Sequence, residues 1–292
     1  MSDATSRLAT LVFSHGNGFV GGTYNKIFEA LRAVGYEVHA IERLGHNPNY
    51  PVTNNWPHLV SELADFATQK GGQSDQGVYL VGHSLGGILS LMCAAQHPRL
   101  GRHRVRGVIM LDSPLVAAWR SPALALIKQT PLINRVSPAR GSRRRRQQWP
   151  SREAVFESFQ KKPHFAAWDP DVLRDYVAHG FREVGEPEGS HVELAFSRDV
   201  ETAIYNSLPH DVPRLLKRHP LQAPLAFIRG TRSSEMRQLG EGPLRRLVGT
   251  DPGDRWQDIE GSHLYPMERP LETAERIHRA LLAMAPAQLS AT

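Results

Sequence analysis

The chain has 292 residues, 40% of them hydrophobic and 22% charged, with a formal net charge of +6; this is the balance of a globular protein long enough to bury a full core. No apolar run approaches the roughly 20 residues that a bilayer span needs. The first residues, "MSDATSRLATLVF", carry an acid where a signal peptide has bases, and the single cysteine, Cys93, excludes an internal disulfide, so a cytoplasmic protein is expected.

In chain order, "LATLVFSHG" (Leu8–Gly16) reads as a buried strand ending in a glycine turn. "YNKIFEALRAVG" follows at helical spacing with Gly35 as its stop, and "YEVHAIERLG" is the next strand. "WPHLVSELADFATQKGG" predicts an amphipathic helix, "GVYLVG" a third strand, "GILSLMCAAQHP" a helix ended near Pro98, and "VRGVIMLDSP" a fourth strand. Such alternation implies an α/β protein: a mostly parallel sheet with right-handed crossovers and helices on both faces.

From Leu115 to about Ala223 the alternation stops, and the pattern is helical or irregular with tryptophans at 119, 149 and 168. Strands resume at "APLAFIRG" (Ala223–Gly230) and "RWQDIEGSH", and "LETAERIHRALLAMA" is the last helix. The expectation is a core of residues 1–114 and 224–292 with a strandless helical cap, 115–223, inserted over the sheet's carboxyl edge. Between Leu115 and Arg152 stand nine Lys or Arg and no Asp or Glu, including Arg143, Arg144, Arg145 and Arg146. A solvated loop accounts for them better than a nucleic-acid surface, which would want aromatics or a recognised module nearby.

"VYLVGHSLGGILSL" (Val78–Leu91) contains G-x-S-x-G around Ser84, directly after a strand and before a helix. Glycines two before and two after the serine permit a turn tight enough to lift its hydroxyl above the sheet. The following helix points its first amides at any negative charge formed there. Together with "SHGNG" upstream and "GSHLYPMERP" downstream, this resembles the α/β-hydrolase superfamily over nearly the whole chain except the cap. The resemblance implies a capped carboxylesterase, lipase or thioesterase. Ser84 argues against the epoxide and haloalkane enzymes of that superfamily, which carry aspartate at this position.

A serine needs a base, and His263, between the last strand and the last helix, lies where the superfamily's histidine loop falls. His83 is expected to pack beside the turn, while His15 and His46 close strands on the same edge and line the pocket. The triad acid has two candidates. Asp112 ends the strand after the nucleophile helix, where a subgroup of capped esterases carries its acid. Glu235 lies just beyond Ser233 and Ser234, where many members have an aspartate. Asp112 is favoured, because a carboxylate buried at a strand end needs a partner. The oxyanion hole is expected from the amide of Leu85 and, by resemblance, that of Asn17. Trp119, Phe165 and Trp168 are expected pocket walls.

The expected reaction is hydrolysis of a small-molecule ester or thioester with an apolar acyl part, through an acyl-serine. No cofactor and no metal are called for, since no His or Cys pair has ligand spacing with a third ligand. A ligand-binding receptor without turnover, or an acyltransferase or perhydrolase at the same serine, are the alternatives. Oligomeric state is not legible.

Overall fold

In the computed structural model, which describes residues 8–71, 77–117, 121–128, 130, 139–185 and 190–285, each expected strand becomes part of one sheet. The first strands are β1 (Thr10–Ser14), β2 (Glu37–Ala40), β3 (Val78–His83), β4 (Arg99–Leu100) and β5 (His103–Leu111). Short strands β6 (Gln148–Trp149), β7 (Phe181–Val184) and β8 (His191–Leu194) follow, and β9 (Leu225–Gly230) and β10 (Trp256–Ile259) complete the main sheet. Its order is β10–β9–β5–β3–β1–β2, every neighbouring pair parallel, with β4 antiparallel on β5.

The period-2 geometry of the strands sorts their residues onto two buried faces. Leu11, Phe13, Tyr79, Val81, Ile109 and Leu111 share one apolar cluster with the helices Asn25–Ala33 and Pro270–Met284. Val12, Val78, Leu80, Val108 and Met110 share the other with the helices Pro57–Gly71 and Leu85–Gln96. With both faces covered, the strands read as continuous apolar runs. The chain passes from β1 to β2 on one side and then to β3 on the other, so strand order reverses at β1 and β3. A crevice opens at the carboxyl ends of such a pair. Among the described residues, no helix is long and apolar enough to cross a membrane.

The segment between residues 115 and 223 is not strandless. It holds helices and a small antiparallel sheet of order β6–β8–β7. "FREV" and "HVEL" are only four residues each, too short for alternation to stand out against helical neighbours. The aromatics of the segment pack closely on one another. Trp149 meets Phe181 at 5.1 Å, Phe165 meets Trp168 at 4.6 Å, and Phe159 and Tyr176 fill the space between. They are continuous with the apolar cluster on one face of the main sheet, and Phe19, 5.7 Å from Trp168, is one point of contact.

The helix Leu85–Gln96 approaches β1 so closely that a Cβ on Gly86 would lie 1.9 Å from the carbonyl oxygen of Ser14. That obstacle is backbone of a central strand and cannot swing away. Gly86→Ala is therefore expected to lower unfolding free energy by about 3 kcal/mol or more, read by chemical denaturation against wild type.

Candidate active site

β3 ends at His83 in the middle of the sheet, and Ser84 takes φ 54° and ψ −117°. Its amide continues the ladder by donating to the carbonyl of Leu111 at 2.9 Å. A Cβ on Gly82 would fall 2.2 Å from the carbonyl carbon of Gly86, and one on Gly87 would fall 2.0 Å from Ser113 Oγ, which is why this turn is glycine-rich. Ser84 occupies the N-cap of the next helix, but its hydroxyl caps nothing; it donates instead to Nε2 of His263 at 3.0 Å.

The ring of His263 is oriented from its other side, Nδ1–H donating to Asp112 Oδ2 at 2.7 Å. Asp112 directly follows β5, is fully buried, and has φ 43°. Its carboxylate also accepts from the amide of Gly230 at 2.8 Å and from the hydroxyl of Ser233. Glu235, the other candidate, has Oε2 4.0 Å from Nδ1 and is held by Ser234 Oγ at 2.8 Å. Burial, the largest influence on the imidazole, pushes its pKa down. The hydrogen bond and charge of Asp112, with the charge of Glu235, outweigh burial and hold it above the usual histidine value.

A buried relay braces this loop. The amide of Gly16 donates to the hydroxyl of Tyr24 at 3.0 Å, that hydroxyl donates to Nδ1 of His83 at 2.7 Å, and His83 Nε2–H donates to the carbonyl of His263 at 2.9 Å. Burial pushes the His83 pKa down to about 3, with the neighbouring His263 adding to the effect, so the ring stays neutral and keeps one donor and one acceptor. Ser262 is fixed in turn by Glu268, which accepts from its hydroxyl and from its amide at 3.1 Å.

Ser84, His263, Asn17 and Glu235 border a cavity of about 240 Å³. Its apolar walls include Leu115, Val116, Ile204, Leu208 and Leu239, with Tyr205 at one side. Among the described residues, neither the amide of Leu85 nor that of Asn17 has a protein acceptor. A cleft of about 320 Å³ bounded by Arg43, Arg182 and Glu193 has none of these residues in its wall. Asp112, Glu235 and His263 present ligand atoms within 4.8 Å of one another, but an ion there would have to displace the proton shared by Nδ1 and Asp112.

Several expected pocket residues lie elsewhere. His15 is buried, its Nε2 accepting from the amide of Leu44 and its Nδ1–H donating to the carbonyl of Gly16. Burial lowers its pKa to about 4. His46 ties the carbonyl of Leu44 to the amide of Ser197. Phe165 packs on Phe159 and Trp168 in the segment between residues 115 and 223, and Trp119 lies outside the described residues. The residues that border the cavity had a signal of their own: Ile204, Tyr205 and Leu208 stand at helical spacing, and Leu115 and Val116 lie three and four residues beyond Asp112.

A model of the alpha/beta hydrolase family matches residues 11–276. The chain is 31% identical over 131 residues to a pyrethroid hydrolase of Sphingobium wenxiniae, covering 44% of this chain and 43% of that protein. It is 26% identical over 134 residues to monoglyceride lipase of Rattus norvegicus, with the same coverage of 44% and 43%. The matched stretches thus span less than half the length of these curated relatives. E-2-(acetamidomethylene)succinate hydrolase aligns over 94% of this chain and 91% of its own with TM-score 0.67 and 21% identity. A peroxisomal alpha-beta-hydrolase of Saccharomyces cerevisiae aligns over 98% and 82% with TM-score 0.68 and 18% identity.

Removing the Tyr24 hydroxyl would strand the Gly16 amide and His83 Nδ1 in a buried site. Tyr24→Phe is expected to cost about 1–3 kcal/mol of stability, measured by urea denaturation.

Proposed function

The chain belongs to the alpha/beta hydrolase family, and from that premise we propose that it hydrolyses a carboxylic ester or thioester with an apolar acyl group through an acyl-serine intermediate. The observation that carries this reading is the unbroken line Ser84 Oγ–His263 Nε2 at 3.0 Å and His263 Nδ1–Asp112 Oδ2 at 2.7 Å, at the wall of an apolar cavity. The curated relatives named for hydrolysis of pyrethroids and monoglycerides agree with the substrate class.

In the proposed reaction Ser84 Oγ bonds to the substrate carbonyl carbon as its proton passes to His263 Nε2. The carbonyl oxygen, now negative, accepts from the unengaged amides of Leu85 and Asn17, each such donor being worth about 3 kcal/mol in the transition state. Asp112 holds Nδ1 protonated and stabilises the imidazolium. As the intermediate collapses, the bond to the alkoxide or thiolate breaks and Nε2 returns the proton to the leaving group. Water then repeats the sequence on the acyl-serine and frees the acid. Asp112 is preferred to Glu235 as the acid because it lies 2.7 Å rather than 4.0 Å from Nδ1. The segment between residues 115 and 223 acts as a cap by supplying Leu115, Val116, Ile204, Tyr205 and Leu208 to the acyl pocket.

A fluorophosphonate is expected to label Ser84, identified by peptide mass, and Ser84→Ala to lose both label and turnover of a short p-nitrophenyl ester. An unlabelled wild type without turnover overturns the reading. Asp112→Asn is expected to lower kcat by roughly 10³- to 10⁴-fold, and Glu235→Gln by far less.

The base works only when neutral, and its pKa is raised above 6.5. kcat/KM should therefore climb with pH through a midpoint above that value and then level off. Glu235→Gln removes a negative charge that favours the imidazolium, so the midpoint should move to lower pH.

A further inference from the structure

Three of the four consecutive arginines, Arg143, Arg144 and Arg146, are exposed, as a solvated run would be, but Arg145 turns inward. Its Nη1 donates to the carbonyl of Gly18 at 3.2 Å, its Nη2 lies 3.2 Å from Glu201 Oε1, and its guanidinium stands 5.5 Å from the ring of Phe196. Glu201 is only 4% exposed, and its second oxygen has no hydrogen-bond partner among the described residues. A carboxylate so buried is costly unless a cation accompanies it, and Arg145 is the cation at hand.

The same pair grips the loop after β1. The carbonyl of Glu201 accepts from Asn17 Nδ2 at 3.0 Å, and Glu201 Oε1 would lie 2.6 Å from a Cβ on Gly18, which has φ +81°. The Asn17 side chain and the Gly18 carbonyl are thus held by Glu201 and Arg145, with the Glu201 carboxylate packed close to Gly18. The hydroxyls of Ser142 and Thr202, 2.7 Å apart, bind together the two helices that flank the pair. One turn beyond Glu201, Ile204 and Tyr205 wall the cavity.

We infer that Arg145 is a positioning residue for the oxyanion hole: by holding the Gly18 carbonyl and Glu201 together, it fixes the direction in which the Asn17 amide points. The inference rests on the serine-hydrolase reading and adds that the inserted segment completes the catalytic geometry as well as the pocket. It also assigns one member of the arginine run a role distinct from its exposed neighbours.

The test separates this role from that of an ordinary ion pair. Arg145→Met with Glu201→Gln removes both charges, so no lone carboxylate is left buried. The double variant is expected to keep a wild-type circular dichroism spectrum while kcat on a p-nitrophenyl ester falls about 10- to 100-fold. KM should stay within about twofold, because a donor aimed at the oxyanion acts in the transition state. Affinity for an aliphatic trifluoromethyl ketone, which forms a tetrahedral oxyanion on the serine, should fall by the same factor as kcat. Arg145→Lys, which keeps the charge beside Glu201 and folds as wild type, should recover part of the loss. If the double variant does not fold, Arg145→Lys alone decides: a loss in kcat matched by a loss in ketone affinity supports the inference, and wild-type values for both overturn it. Wild-type kcat and ketone affinity in the double variant overturn it likewise. A wild type that neither turns over the ester nor takes a fluorophosphonate ends the hydrolase reading itself, and this inference with it.

Discussion

Ser84 at φ 54° and Asp112 at φ 43° both sit in backbone conformations that L residues avoid, at the ends of neighbouring strands β3 and β5. Each such residue costs on the order of 1–3 kcal/mol, and the surrounding sheet is what enforces it. The amide of Ser84 is held by Leu111 and that of Asp112 by Ile228, so both strands stay hydrogen-bonded through their strained last step. Glycines at 82, 86 and 87 clear the space on the other side. The strain therefore depends on a rigid support, and in exchange the serine hydroxyl and the carboxylate leave two adjacent strands aimed at one imidazole.

Around that imidazole, burial and charge divide the histidines into two kinds. His15 and His83 are buried with no carboxylate among their hydrogen-bond partners, and desolvation drives both toward the neutral form. Each then serves as a fixed donor–acceptor tie between loops. His263 is only partly exposed and desolvation acts on it too, but Asp112 and Glu235 reverse the direction of its shift. One titrating ring thus stands among rings that do not titrate near neutral pH, an arrangement that suits a single proton carrier.

The main sheet and its covering helices were legible because strands buried on both faces give compact apolar runs between glycine turns, and each run here became a strand. Ser84 and His263 were legible as a pair because a strand–helix turn and a loop before the last helix mark their places in the chain, and the fold brings them to 3.0 Å. Asp112 was favoured over Glu235 on its strand-end position alone, while the fold separates them by distance from Nδ1, 2.7 Å against 4.0 Å. Ser233 lies where an aspartate was expected, and its hydroxyl donates to Asp112. That substitution makes physical sense only once β5 and β9 are known to be neighbours. Phe165 and Trp168 do not border the cavity beside Ser84 for a related reason: they pack on each other and on Tyr176, and composition cannot show which aromatics will find one another.

That packing bears on how a segment outside the main sheet can set the geometry of a loop belonging to it. The helix Pro170–Gly180 lies against the turn Gly21–Tyr24 so tightly that a Cβ on Gly22 would sit 2.2 Å from the ring of His179. Beside it, Lys26 binds both Asp169 and Asp171 at 2.8 Å. The aromatic half of the segment is thereby fastened to the stretch of chain that directly follows Asn17 and Gly18. Arg145 and Glu201 grip that loop from a body already anchored a few residues away. A brace is useful only if its two ends cannot drift apart, and an isolated ion pair on a loosely attached segment would transmit little. The close packing at Gly22 and Lys26 lets hydrogen bonds of about 3 Å control where a backbone amide points.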